Sequence, residues 1–122
     1  MNHGMPDEQE TPVRERLRAA LKPALKSRDR SAVSALRTVL GAIDNAEAVD
    51  ASDTRAGALE DSALGLGAAE VSRRDLTEDD ILAIVRREID ERHTAAAEYD
   101  RLGATDRRDR LIAEAAALSA VL

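Results

Sequence analysis

Residues 76–103 read LTEDDILAIVRREIDERHTAAAEYDRLG, and this stretch decides the fold because it combines a helix start signal, a long amphipathic body and a stop signal. The Thr77 side chain can accept the backbone N–H of Asp80, and the Asp80 carboxylate can accept the N–H of Thr77, which together form a capping box. Gly103 can turn left-handed without a Cβ clash. The stretch therefore predicts one long helix whose two ends are specified locally.

Apolar residues in this stretch recur every three or four positions, which is the spacing of one buried helix face. They are Leu82, Val85, Ile89, Ala96, Tyr99 and Leu102. Arg92 takes the position that is missing between Ile89 and Ala96, so we expect its guanidinium in or beside the apolar seam. A charge in such a place needs a partner, and Glu88 lies one turn earlier on the same side.

The composition of the whole chain favours an all-α protein. Its 122 residues include no Phe or Trp and a single Tyr, so the core has to be built from Leu, Ile, Val and Ala. Helix-favouring residues dominate, and continuous β-branched runs are absent. The length is that of one domain. We therefore expect a single-domain, up-and-down helical bundle of about four helices in which the third helix is long and central.

The first helix is expected to begin with Thr11 as its N-cap and Pro12 at the first helical position, and to end near Arg28. Pro23 lacks an N–H and crowds the preceding turn, so it predicts a kink or a break. The apolar stripe of this helix is Val13, Leu17, Leu21 and Leu25.

The second and last helices are predicted from similar signals. Asp29 can cap the second helix, whose interior Gly41 suggests either a close neighbour or mere tolerance. Thr105 or Asp106 is expected to cap the last helix. The apolar positions are Val33, Leu36, Leu40 and Ile43 in the second helix and Leu111, Ala115, Leu118 and Leu122 in the last, with Ile112 and Val121 beside them.

Two segments carry no regular apolar pattern. Residues 1–10 are acidic with nothing to bury, so we expect a disordered tail before a helical domain that covers 11–122. Residues 50–76 are expected to form a mobile loop, with a helical turn at 58–64 as the alternative. Gly65-Leu66-Gly67 does not match a phosphate-binding loop, because no strand precedes it and no Gly-Lys-Ser/Thr sequence follows.

The chain is acidic overall, with an uneven distribution of charge. Its formal net charge is −6, whereas residues 13–49 contain eight basic and four acidic side chains and could hold anions. The absence of Cys excludes disulfides and thiolate catalysis and fits a reducing compartment. No apolar run approaches the roughly 20 residues of a membrane span, and we expect that the N-terminus is not a secretion signal. We therefore expect a cytoplasmic protein that does not enter the membrane.

The chain carries a series of short motifs, namely Lys26–Asp29, Ala35-Leu36-Arg37, AIDNAE at 42–47, LTEDDI at 76–81, Arg87-Glu88-Ile89 with Arg92, and the segments 99–103 and 109–114. In this order and spacing, from about residue 13 to residue 122, they resemble the N-terminal helical region of the GatB/YqeY family. The resemblance implies a link to glutamine-dependent tRNA amidotransferases, carbon–nitrogen ligases that use glutamine as amide donor, with the chemistry in other subunits. It also implies a smaller C-terminal helical domain, similar to the tail of the GatB subunit, which is expected to be missing here.

One candidate site is a charged cluster at positions that match the family pattern. Its members are Arg37, Glu88, Arg92 and Glu114. They could form a polar site for a small anion or a carbonyl group, or a salt-bridge network that fixes the register of helices two, three and four. We favour the network, partly because Ala117 replaces the family's second Glu in the last helix. Arg92→Leu is then expected to be tolerated better than Glu88→Leu, which would strand a buried cation.

A second candidate is a stripe of cations on the first helix. It consists of Arg14, Arg18, Lys22 and Lys26. The stripe spans about 18 Å at about 1.5 Å per residue, which is long enough to follow several phosphates. The alternative is a solvated face that is partly paired with acidic residues of the third helix. We favour the solvated face, because no aromatic residues interleave to stack on bases.

The sequence contains no recognisable catalytic or metal-binding arrangement. His93 and His3 lack the spacing of a zinc site, and no nucleophile motif is evident. We therefore expect no metal, no cofactor and no catalysis by this chain alone. The leading hypothesis is a non-catalytic helical interaction module with a protein partner, related to tRNA amidotransferase systems. The alternative is direct binding of tRNA or another nucleic acid through the first helix, and a small enzyme built on Glu88 and Arg92 is the third.

Overall fold

A computed structural model describes the backbone of residues 11–61 and 76–122, and the side chains of 11–48 and 76–122. Within these ranges the chain is helical and contains no strand, which confirms the all-α prediction. Residues 1–10 and 62–75 lie outside the described residues. They include the expected disordered tail, the later part of the expected loop and Gly65-Leu66-Gly67. The helices are α1 (Val13–Ser27), α2 (Arg30–Asp61), α3 (Glu78–Arg101) and α4 (Thr105–Ser119).

All four helices contribute to one aliphatic core. α3 contacts each of the other three helices and packs most extensively on α4. This agrees with the prediction of a long third helix at the centre of a bundle. The largest fully buried side chains are Leu17, Leu36, Ile43, Leu118, Val13, Val39 and Val85.

The start and the stop of α3 are as predicted. The Asp80 N–H donates to Thr77 Oγ1 at 3.0 Å, and the Thr77 N–H donates to Asp80 Oδ2 at 3.0 Å, so the capping box is present. Gly103 has φ = +76°, the left-handed conformation that ends the helix. Leu102 was wrongly placed on the buried face, since 69% of it is exposed. It is the C-cap residue, where the chain already leaves the helix.

The start of α1 differs from the prediction. Pro12 is the N-cap, and Thr11 makes no capping bond. Instead, the Val13 N–H donates to Glu78 Oε1 at 3.1 Å, so a carboxylate at the start of α3 caps α1 from across the fold. Because this carboxylate lies at the first turn of both helices, it complements two helix dipoles at once.

The apolar face of α1 also rotates away from its predicted position. Leu25 is 46% exposed, and Ala24 is buried in its place. Residues spaced by four positions advance about 400° around a helix, so such a stripe drifts about 40° at each step. The fourth member has therefore left the core. The expected break at Pro23 is absent, because Pro23 and Ala19 are both exposed and water can reach the carbonyl that loses its donor.

A tight turn joins α1 to α2. Arg28 adopts a left-handed conformation with φ = 59°, and the Asp29 N–H donates to the Ala24 carbonyl at 3.0 Å. This is the helix-ending geometry that usually carries Gly. Asp29 then caps α2 as predicted, since its Oδ1 accepts the Ala32 N–H at 3.1 Å.

α2 is longer than predicted. Its backbone remains helical to Asp61, so residues 50–61 are not loop, and the expected turn at 58–64 begins inside a helix. The buried face consists of Ala32, Ala35, Leu36, Val39, Ile43 and Glu47. Val33 and Leu40 lie at its edges, partly buried. A Cβ added at Gly41 would meet no atom within 4 Å among the described residues, so this glycine is tolerated and not required.

α4 begins without a side-chain cap. Ala104 is the N-cap, and Thr105 is already the first helical residue, because the left-handed turn at Gly103 fixes where the helix starts. The prediction of a Thr105 or Asp106 cap was therefore wrong. The buried residues at this end of the chain are Ala115, Leu118 and Val121, whereas Ile112 and Leu122 are exposed.

Candidate functional site

Arg92 lies in the apolar seam of α3, as its position in the sequence predicted. It is 9% exposed and sits between the buried residues Ile89 and Ala96. Its Nη1 donates to Glu88 Oε1 at 2.7 Å, and its Nε donates to Glu114 Oε1 at 2.9 Å. Nη1 also donates to the Glu88 carbonyl at 3.0 Å. One guanidinium therefore holds two carboxylates and one carbonyl.

This network connects α3 to α4. Glu88 and Arg92 are one turn apart on α3, whereas Glu114 comes from the middle of α4. Both carboxylate side chains are 18% exposed, so the network lies at the edge of the interface and not in a closed cavity. The Arg92 guanidinium binds both carboxylates, and its contact with Glu114 is a salt bridge between two helices.

The electrostatics of Arg92 favour its charged form. Burial alone would lower the pKa of its guanidinium, but the hydrogen bonds to Glu88 and Glu114, together with their negative charges, raise the pKa above its ordinary value. Arg92 therefore keeps its charge at every pH of practical interest.

Arg37 does not join this network. It is exposed on α2, because it lies about 100° around the helix from the buried Leu36 and faces away from the core. The predicted four-membered cluster therefore consists of Glu88, Arg92 and Glu114, which tie α3 to α4 and not α2 to either.

The four cations of the α1 stripe have different environments. Arg14 is partly buried, and its Nη2 lies 2.7 Å from Oε1 of the buried Glu47 on α2. Arg18, Lys22 and Lys26 are exposed. The same 40° drift that takes Leu25 out of the core brings Arg14 towards α2 and turns the later members to solvent. The acidic partner is thus on α2, and not on the third helix as considered from the sequence.

Two arginines in the first turns of α1 keep buried nitrogen atoms without a hydrogen-bond acceptor among the described residues. These atoms are Nε of Arg14 and Nε of Arg16. The Arg14 Nη2 atom lies 2.7 Å from Glu47 Oε1, so the charge of Arg14 is paired across α1 and α2. Arg16 was not predicted from the sequence as a site residue, although it precedes the buried Leu17 and flanks the core stripe.

Arg16 lies at a groove between α1 and the end of the chain after α4. The groove has a volume of about 460 Å³. It is called the α1–α4 groove below. Its lining residues are Thr11, Arg16, Ala19, Ala20, Ala117, Ala120, Val121 and Leu122.

The remaining charged groups on α3 and α4 form surface contacts. Arg108 donates to Asp100 at 2.5 Å and to Asp109 at 3.0 Å, and these hydrogen bonds raise the pKa of its guanidinium. Arg107 lies 5.5 Å from the centroid of the Tyr99 ring. His93 is exposed, and none of the acidic or His side chains in the described ranges gather into a possible metal site.

The described helices belong to a small helical bundle in which ion pairs join α1 to α2 and α3 to α4. None of them combines the length and the apolar character that crossing a membrane requires. No protein-family model, curated protein or solved structure matches this chain.

Proposed function

We propose that this chain is a helical interaction module that binds another protein and does no chemistry on its own. Following the resemblance of its motifs to the GatB/YqeY family, we place its partner in a glutamine-dependent tRNA amidotransferase system. The carbon–nitrogen ligase chemistry would then belong to other subunits.

The observation that carries the proposal is the internal pairing of the Arg92 network. A catalytic or anion-binding group has to offer free donors or acceptors to its substrate. Arg92 instead donates two hydrogen bonds to Glu88 within α3 and one to Glu114, and the bond to Glu114 joins α3 to α4. The charged residues best placed to form a site therefore maintain the packing of the helices, and the function is left to the outer surfaces.

The amidotransferase link is tested by affinity purification from cells that produce the protein. The chain serves as bait, and amidotransferase subunits and tRNAs are quantified against a bait with an unrelated helical bundle. The proposal predicts enrichment of an amidotransferase subunit that survives nuclease treatment. Loss of all enrichment after nuclease treatment would favour RNA as the direct ligand.

The assignment as non-catalytic is tested separately. Purified chain is incubated with glutamine and with small amide and acyl compounds, and ammonia or acid release is followed. We expect no turnover above that of the Glu88→Gln variant. Turnover that disappears in this variant would overturn the assignment.

Direct binding of tRNA is the second candidate function, and the exposure of Arg18, Lys22 and Lys26 favours it. With Arg14 engaged by Glu47, the free part of the stripe spans only about 12 Å at about 1.5 Å per residue. Filter binding to bulk tRNA at low and moderate salt separates the candidates. A phosphate-binding stripe gives a steep salt dependence that Arg18→Glu with Lys22→Glu abolishes.

A further inference from the structure

α1 concentrates positive charge in a chain that is acidic overall. Between Val13 and Arg28 there are six basic residues and one acidic residue, against a net charge of −6 for the whole chain. Such a helix attracts an acidic partner.

The α1–α4 groove lies beside this charge and has an apolar floor. Ala19 and Ala20 line it from α1, and Ala117 and Val121 line it from the α4 side. Small side chains on both walls allow the backbone of a helix from another molecule to come close. The surface buried by such a helix would be aliphatic.

Arg16 is the one cation among the groove-lining residues that the structure describes, and two exposed lysines follow farther along α1. Lys22 and Lys26 follow Ala19 by three and seven residues, which places all three along one side of α1. Arg16 lines the groove itself, and its buried Nε has no acceptor among the described residues. Arg16 therefore brings a positive charge to the lining of the groove.

We propose that the α1–α4 groove binds an amphipathic helix of a partner protein, with apolar residues on one face and Asp or Glu beside them. The apolar face packs on the alanines of the groove, and the carboxylates pair with Arg16, Lys22 and Lys26. This inference rests on the proposed function and specifies the surface and the chemistry of the partner.

A protein helix fits this surface better than a nucleic acid does. Binding of single-stranded RNA relies on stacking of bases on aromatic side chains, and the groove lining contains none. Its floor instead suits aliphatic side chains, which a phosphate backbone does not supply.

The probe is a synthetic amphipathic helical peptide with Leu on one face and Glu on both flanks. A matched peptide carries Gln in place of every Glu, and an RNA oligonucleotide is tested alongside. Binding is followed by fluorescence anisotropy at about 0.15 M ionic strength, where the Debye length is about 8 Å. We expect the Glu peptide to bind at least about tenfold more tightly than the Gln peptide, which corresponds to about 1.4 kcal/mol.

Two variants locate the site. Lys22→Glu with Lys26→Glu reverses the two charges farther along α1, and Ala19→Glu places a carboxylate in the groove at an exposed position. Both are expected to weaken binding of the Glu peptide at least about tenfold. Arg86→Glu with Arg87→Glu makes the same change in net charge on the exposed side of α3 and is expected to leave binding within about twofold.

The inference is overturned if the Glu peptide does not bind, if the α3 control weakens binding as much as the α1 variants, or if RNA binds more tightly and displaces the peptide. Its failure is distinct from failure of the proposed function. If affinity purification captures an amidotransferase subunit as strongly with the Lys22→Glu and Lys26→Glu bait, the module stands and the groove is not its binding surface. If no subunit is captured by either bait, the proposed function fails.

Discussion

Replacing Arg92 by Leu tests whether the network stabilises the packing of α3 on α4. The substitution removes three hydrogen bonds at once and leaves Glu88 and Glu114 facing each other without a cation. Removing one partner from a buried ion pair costs about 3–5 kcal/mol, and the new apolar contacts of Leu return about 1 kcal/mol. Because both carboxylates retain some contact with water, we expect a loss of about 3 kcal/mol in the free energy of unfolding.

Glu88→Leu is expected to cost less, which reverses the order that the sequence alone suggested. After this change Arg92 still donates to Glu114 and to the backbone carbonyl at position 88, so the cation is not stranded. The variant loses one charge-assisted hydrogen bond, which lowers the free energy of unfolding by about 1.5 kcal/mol. The sequence suggested the opposite order because it did not establish that Glu114 is a second partner.

Urea unfolding followed by far-UV circular dichroism measures both variants, with m values compared to verify that the same transition is observed. Arg87→Leu, at an exposed position on the same helix, is the matched control and should stay within about 0.5 kcal/mol of the parent. A triple variant with Leu at 88, 92 and 114 should recover most of the stability, because no charge is left unpaired. Equal losses for Arg92→Leu and Glu88→Leu would refute the reasoning.

The raised pKa of Arg92 adds a prediction about pH. A group whose pKa is raised on folding stabilises the fold fully below its unfolded-state pKa, and that contribution is lost as the pH rises through the folded-state pKa. For Arg92 this interval lies in strongly alkaline solution. The difference in stability between the parent and Arg92→Leu should therefore show no step from deprotonation of Arg92 between neutral and mildly alkaline pH.

Three further predictions concern the helix ends and interiors, and each is measured by urea unfolding. Glu78→Ala should lower the free energy of unfolding by about 1 kcal/mol, because it removes the acceptor of the Val13 N–H. Glu78→Gln should lower it less, because the amide keeps an acceptor. Equal losses for the two variants would show that only the charge of Glu78 matters. Gly41→Ala should stabilise by about 0.5–1 kcal/mol, because no atom of the described residues lies within 4 Å of the new methyl group, and destabilisation would reveal a close neighbour. Arg28→Gly should stabilise by up to about 1 kcal/mol and Gly103→Ala should destabilise by about as much, because both positions have positive φ; the same sign for both would contradict this account.

The helix signals that depend on neighbouring residues could be read from the sequence. The Thr77 and Asp80 capping box, the Asp29 cap and the left-handed Gly103 are all contacts within a few positions of chain, so local chemistry decides them. The pairing of Arg92 with Glu88 belongs to the same group, because residues one turn apart on a helix always lie close together.

Other features depend on how the helices are placed. Helix geometry already implies that an i, i+4 stripe such as the one ending at Leu25 drifts out of the core, but only packing could show that Arg14 reaches Glu47. The absence of a cap at Thr11 was likewise compensated by Glu78, which accepts from Val13, 65 residues away in the chain. Such contacts have no local signature, because the sequence does not specify the rotation of one helix against another.

The sequence by itself determined that this protein is a bundle of aliphatic helices, where three of its helix ends fall, and that a cation would interrupt the seam of α3. Tertiary structure decided what that cation does. It brought Glu114 of α4 to Arg92, left Arg37 outside, and opened the α1–α4 groove beside Arg16. The physical reason is range, since caps and turns are fixed by bonds across a few residues, whereas partners across a bundle are fixed by the packing of whole faces.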